Sequence, residues 1–576
     1  MIDETIDTVR SLLTKWDPSA AASSDPSLFR DGRAEARDFI ASVNHLRRVM
    51  HLLLSAHSPT DRLLLAHTLL QLAMKRLEKE FYQLLCASRH RLDADSISAP
   101  SSRLSGDEDA VSEDYARVAD EAASVCDDLR MIADCMIRSG YGKECAKIYK
   151  IIRKSIVDEE MYRMGIERLR SAKVQRFDGE VLEKRIHDWI NASKTAVTTL
   201  FRGERILCDH LFPASESIRE SCFSEVSREG AVNLLRFPEL VAKTAKSSRA
   251  NIFRLLDLHE AMSDLQPAIE LTFSFESTAP VRSQACNTLL KLSNAVRASL
   301  SEFESSIQND SSKKLVDGGG IHELTRSAMG HLVRLADYSP VLSDIVAQIP
   351  AQYKSPFPES FFAASNSGES PAKTLSVRIA WLVLVLLCKL DTKANLYKDV
   401  SLSYLFLANN LHFVVERVRR SNLRRILGEE WVSKHSQRVK QYAAKYESAA
   451  WTKILHLLPE KQATAVPQEE AKECFRRFNE AFEEAYRKQR SWVVVDGKLR
   501  DEIKVSIAKN IVPAYREFYD TYVSALRGEK DLELLVRFCP DNLGNYLSDM
   551  FHRMGSSTST SSSSSWSSSL RKSLSL

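Results

Sequence analysis

Residues 403–458 read SYLFLANNLHFVVERVRRSNLRRILGEEWVSKHSQRVKQYAAKYESAAWTKILHLL, and the spacing of their apolar side chains decides the fold class. Leu407, Leu411, Val414 and Val418 recur at intervals of four, three and four, the stripe of a helix with one buried side. Gly428 follows the last apolar residue of that unit, where a helix stops. Val432, His435, Val439, Tyr442, Tyr446 and Ala449 repeat the pattern on a second helix. Neither stripe can be buried alone, so each must pack on the other and on neighbours. From Arg417 to Lys453 there are ten Lys/Arg against three Glu, and Arg417, Arg419, Arg420, Arg424 and Arg425 form a basic elbow between the helices. A packed helix pair with a cationic elbow is a scaffold element, and nothing in it suggests reaction chemistry.

The rest of the chain extends the same pattern. Across 576 residues, 44% are apolar and 27% charged, enough to bury a core, while Gly (18) and Pro (17) are scarce, as in long helices with few turns. A net charge of +4 argues against bulk nucleic-acid binding. The ten cysteines show no C-x-x-C and no metal-ligand spacing, which reads as buried thiols in a reducing compartment. MIDETIDTVR has no apolar core of a signal peptide, and the longest apolar run, Ile379 to Cys388, is about half a bilayer span. Any membrane contact is therefore expected to be peripheral.

In order, Ile2, Ile6, Val9, Leu13 and Trp16 share one helical side, and 17–26 is a break. A second helix is predicted at about 33–55. In the third, Leu63, His67, Leu70, Met74, Leu77, Phe81 and Leu84 alternate by four and three, the seam of a coiled coil. That seam serves either packing within the chain or, on the sharper reading, an N-terminal hook that zips with a partner's helices; His67 reads as a tolerated core polar residue. Residues 88–114, rich in Ser, Asp, Ala and Pro, read as a linker and the main boundary. Helix then follows helix to about 553, with VVVD at 493–496 the best strand candidate, and 554–576 reads as a disordered serine-rich tail.

Catalytic constellations fail on spacing. His259-Glu260 and His322-Glu323 open H-E-x-x-H, but Ser263 and Arg326 stand where the second histidine must be. Asp127-Asp128 lacks carboxylates at the next turn, where Met131 and Ile132 stand. The glycines at 318–320 follow no strand and precede no G-K-[ST], so they form no phosphate cradle. No enzyme, metal or cofactor is expected.

NNLHFVV, the GEEW elbow and AAWTKIL resemble the C-terminal region of the Exo-seventy (Exo70) family, a subunit of the exocyst, which tethers secretory vesicles. LAMKRLEKEF (72–81), SGYGKECAKIYKIIR (139–153), ERILCDHLF (204–212) and GGIHELTR (319–326) fit in matching order, and the middle two are especially like plant members. The resemblance implies an all-α, elongated rod of stacked antiparallel helical pairs, with an N-terminal coiled coil joining other exocyst subunits. The domains would be 1–87 (helices with the seam, candidates Leu63, Leu70, Met74, Leu77, Phe81 and Leu84), 88–114 (linker), 115–553 (rod) and 554–576 (tail). It also implies a cytoplasmic protein peripheral to the inner plasma membrane, with other exocyst subunits, membrane phosphoinositides and small GTPases as partners.

The family's phosphoinositide contact falls on 527–543, where Lys530 and Arg537 match two basic positions and Arg527 lies nearby. Leu534 stands where the family carries lysine, with Asp531 and Glu533 beside it. Each basic residue near an anionic surface contributes on the order of 1 kcal/mol, so this departure offsets most of the attraction; the elbow arginines either compensate for it or form a solvated basic face. The alternative is a diverged helical adaptor for regulation or defence signalling, without direct membrane binding.

Overall fold

Short acceptor side chains start helices where the sequence breaks. Asp178 accepts a hydrogen bond from the Val181 N–H (2.8 Å), Asp399 from those of Ser401 (2.7 Å) and Leu402 (3.1 Å), and Asp496 from that of Leu499 (2.9 Å). Each satisfies a donor that a first helical turn leaves without an intrahelical acceptor. The computed structural model describes residues 2–15, 28–55, 60–87, 112–244, 251–347, 371–459, 467–524, 526 and 535–551. Among the described residues there are helices and no strand.

Two compact units are present, Met1–Val296 and Arg297–Leu576. In the first lie α1 (Ile2–Lys15), α2 (Arg33–Ser55), α3 (Thr60–Ala87), α4 (Ser112–Arg138), α5 (Gly142–Arg163), α6 (Gly179–Thr195), α7 (Arg202–Leu211), α8 (Glu216–Thr244), α9 (Asn251–Thr272) and most of α10 (Ala279–Gln308). In the second lie α11 (Glu323–Asp337), α12 (Ser339–Ala347), α13 (Pro371–Ala394), α14 (Val400–Arg419), α15 (Glu429–Leu455), α16 (Gln468–Gln489), α17 (Gly497–Val523) and α18 (Pro540–Ser548). The apolar run Ile379 to Cys388 falls within α13, and no helix of the described residues is long and apolar enough to cross a membrane.

In the first unit, α3 packs on α2, α4 and α5. Leu70, Met74, Leu77 and Phe81 are buried there, while Leu63 and Leu84 are half-buried. This corrects the partner reading of the seam for its four buried members. Covered on several sides, α3 also buries Ala66, Leu69, Ala73 and Leu85, a broader stripe than a two-helix seam uses. His67 is exposed rather than in the core. Because α3 packs on α4 and α5, the stretch at 88–114 does not separate two bodies, and α4 already begins at Ser112. The expected tail, and 88–111 of the expected linker, lie outside the described residues.

A buried ion pair braces this unit: Arg153 on α5 meets Glu204 on α7, and the Tyr149 hydroxyl donates to the same carboxylate at 3.3 Å. Of the cysteines, Cys126, Cys135, Cys145, Cys208 and Cys222 are buried, whereas Cys86, Cys286 and Cys388 are exposed, so the buried-thiol expectation fits only part of the set.

In the second unit, α14 and α15 form the most extensively packed helix pair, joined through the turn Leu423–Leu427 and Gly428. Leu411, Val414 and Val418 of α14 and Val432, Val439 and Tyr446 of α15 are all buried. Leu407 and Tyr442 are half-buried and Ala449 exposed, because the buried strip of α14 shifts to Leu405, Phe406, Ala408, Asn409 and Asn410. Downstream, Phe478 stacks on Tyr515 at 4.5 Å and Phe482 meets Phe538 at 5.2 Å, joining α16, α17 and the segment before α18.

Candidate functional site

The elbow is built on a residue only glycine tolerates: Gly428 has φ +85° and ψ 163°. Around it, all five elbow arginines are exposed. Arg419 and Arg420 both pair with Glu416, the latter at 3.1 Å, and Arg424 pairs with Glu429. Arg417 lies over the Phe413 ring at 5.2 Å, which uses the ring's negative face and leaves the charge available. Among the described residues Arg425 has no acidic partner.

Two clefts flank α14 and share His412 and Glu416. One, of about 300 Å³, runs toward α15 and α17 past Arg419, Lys440, Glu447, Lys498 and Glu502. The other, of about 440 Å³, opens toward Ile321, Phe413, Arg417, Arg420 and Asp496. His412 Nε2 lies 3.3 Å from Asp496 Oδ1. Burial pushes the Asp496 carboxyl up, but the Leu499 N–H and His412 outweigh it and hold it below the usual range. Burial raises Glu447, whose carboxylate accepts from the Ser506 hydroxyl at 2.6 Å. Acids and bases alternate along both walls, which suits recognition of a charged partner. Among the described residues no group of three His, Cys, Asp or Glu is placed to hold a metal.

The near-catalytic motifs carry structural duties. His322 caps α11, its Nδ1 accepting from the Leu324 N–H at 3.0 Å. His259 Nε2 meets Ser293 Oγ at 3.0 Å, and Asp128, buried, takes Arg33 at 2.5 Å.

Arg537 of the C-terminal candidate is exposed and pairs with Glu483 at 2.7 Å. Arg527, Lys530 and Leu534 lie outside the described residues.

The feature that residue patterns missed is a polar clamp on α14. Asn409 Nδ2 donates to Gly319 O and Val493 O, both at 2.8 Å. Asn410 Oδ1 accepts from His322 N (2.9 Å) and Thr325 Oγ1 (2.7 Å), while its Nδ2 donates to Gly320 O at 3.1 Å. Val493 N donates to Gly318 O at 2.8 Å, so the expected strand is an extended segment held by a loop rather than by a sheet. NNLHFVV, DGGGIHELTR and WVVVDGKLR, far apart in sequence, meet here. The available signal was an Asn-Asn pair inside an apolar helix, since buried amides require partners.

Two family models match the chain, both describing Exo70 of the exocyst complex: its N-terminal model covers residues 5–86 and its C-terminal model residues 187–549. Exocyst complex component EXO70A1 of Arabidopsis thaliana is 28% identical over 582 residues, covering 96% of this chain and 88% of that protein. EXO70B1 of the same plant is 31% identical over 424 residues, covering 73% of this chain and 65% of its own length. A crystal structure of Exo70 from S. cerevisiae superposes with a TM-score of 0.59 at 16% identity, covering 96% of this chain and 99% of that one.

Proposed function

Because this chain belongs to the Exo70 family of exocyst subunits, we propose that it serves as a non-catalytic tethering subunit linking secretory vesicles to the plasma membrane. The observation that carries this reading is that both family models match, in order, a chain with the all-α fold of yeast Exo70. Other exocyst subunits are its partners in this reading, small GTPases its regulators, and the cytoplasmic face of the plasma membrane its working site. Lys530, Arg537 and Arg527 supply the phosphoinositide contact, with Arg417 and Arg425 of the elbow as further cations.

Two experiments test it. Mixed with the remaining subunits, the chain co-elutes with them in gel filtration; elution as a free chain overturns the assembly role. Flotation on vesicles containing phosphatidylinositol bisphosphate drops for Lys530→Glu/Arg537→Glu; equal flotation overturns the C-terminal lipid role. A second reading, an adaptor without direct membrane contact, draws support from Glu483, which already holds Arg537, and from Leu534 in a lysine position. Assembly without flotation of the wild-type chain would favour it.

A further inference from the structure

At the N-terminal end of α14, about 30 Å along that helix from the elbow, three connections are locked into one surface. The Tyr397 hydroxyl accepts from Val316 N (3.1 Å) and donates to Val316 O (2.8 Å). Lys393 donates to Ser312 O at 2.7 Å and pairs with Asp310 at 2.5 Å. The clamp from Asn409 and the Val493–Gly318 bond hold the third connection against the first. Gly318 has φ +67°, and a Cβ on it would sit 2.6 Å from Ser491 O, so the approach is as close as backbones allow.

What this lock turns outward is not what folding alone selects. Leu315 and Leu396, on adjoining connections, are 39% and 42% exposed, and Val400, the first residue of α14, is 61% exposed. Lys313, Lys314, Lys398 and Arg490 are exposed around them and have no acidic partner among the described residues. Asp310 and Asp399 are taken by Lys393 and Lys488 and Asp496 faces His412, which leaves the exposed Asp317 and Glu323 against four cations.

We infer that this loop cluster is a docking face for an anionic lipid bilayer, separate from the C-terminal basic stretch. The lysines lie against headgroup phosphates while the leucines and the valine enter the boundary between headgroups and acyl chains. A bilayer fits better than an acidic protein for two reasons. Lysine is depleted where proteins meet each other but suits a diffuse anionic surface. Leu315 stands on one connection while Leu396 and Val400 stand at another, and none of the three lines either cleft beside α14. The inference rests on the tether meeting a membrane, but on different residues.

The test is sedimentation of the full chain with vesicles of phosphatidylcholine alone or with one-fifth phosphatidylserine. Each lysine is worth about fivefold in partitioning, so Lys313→Glu/Lys314→Glu/Lys398→Glu lowers binding to the anionic vesicles on the order of 100-fold. Leu315→Ser/Leu396→Ser lowers it several-fold, and that loss persists at high salt, where charge attraction is screened. All five positions are exposed, and unchanged thermal unfolding verifies the fold of each variant. If both loop variants bind like wild type, the loop face is wrong, whatever Lys530→Glu/Arg537→Glu does. If the loop variants lose binding and the C-terminal variant keeps it, the loop face stands and the C-terminal lipid contact falls. No binding by the wild-type chain overturns both.

Discussion

Asn409 and Asn410 interrupt an apolar stripe in the middle of a helix, a position where leucine would contribute more burial. Their value lies in pairing backbone groups that loops without secondary structure would otherwise bury unsatisfied. Asn410→Ala leaves the His322 N–H, the Thr325 hydroxyl and the Gly320 carbonyl without their partner and should cost about 2–4 kcal/mol, measured by chemical denaturation. A loss below about 0.5 kcal/mol would mean water replaces the amide and the clamp is incidental. A second residue gives a pH signature. His435 is buried, its ring stacked on Trp431 at 3.9 Å and its Nδ1 2.8 Å from Trp431 O. Burial, reinforced by Arg438 and Lys434, lowers its pKa below the ordinary 6.5 despite that carbonyl. Between the lowered folded value and 6.5 the unfolded chain binds more protons, so stability falls as pH drops from 6.5 toward the folded value. His435→Phe keeps the stacking and should reduce the loss of thermal stability between pH 7 and 5; an unchanged acid slope would show that other groups carry it.

At the scale of elements, helix existence was largely legible and helix exposure was not. A four-three spacing says that one side of α3 is buried, but not whether the cover comes from the same chain. The chain's own α2, α4 and α5 supply it. Leu77→Ala should therefore destabilise the isolated protein by about 2–5 kcal/mol, read as a lowered denaturation midpoint without any partner present. A variant that unfolds like wild type yet loses partner binding would restore the hook reading. The elbow was legible in outline, since the arginines and Gly428 lie where the pattern put them. Its electrostatics were not, because Glu416, within the helix before the turn, neutralises Arg419 and Arg420 through side-chain geometry that spacing does not show. VVVD failed as a strand for a related reason. A β-branched run states a preference for extended backbone, but its partner turned out to be a loop carbonyl and an asparagine amide rather than another strand.

At the scale of the whole molecule, composition and periodicity give an all-helical chain, and the ordered motifs give its family. Residue chemistry does not give a surface, because docking faces depend on which charges already have partners, and long-range pairs such as Arg537 with Glu483 are invisible to spacing. The same limit hid the cluster at 313–315 and 396–400, whose residues are unremarkable singly and meaningful once Tyr397, Lys393 and Asn409 tie their connections together. On the function proposed above, this chain works as an assembled part of a tether rather than as an independent protein. The most direct test is purification of the tagged chain from native membranes, with the molar ratios of the proteins that accompany it measured by mass spectrometry. A tethering subunit brings the other exocyst subunits with it at near-equal molar amounts; recovery of the chain without them would contradict that role.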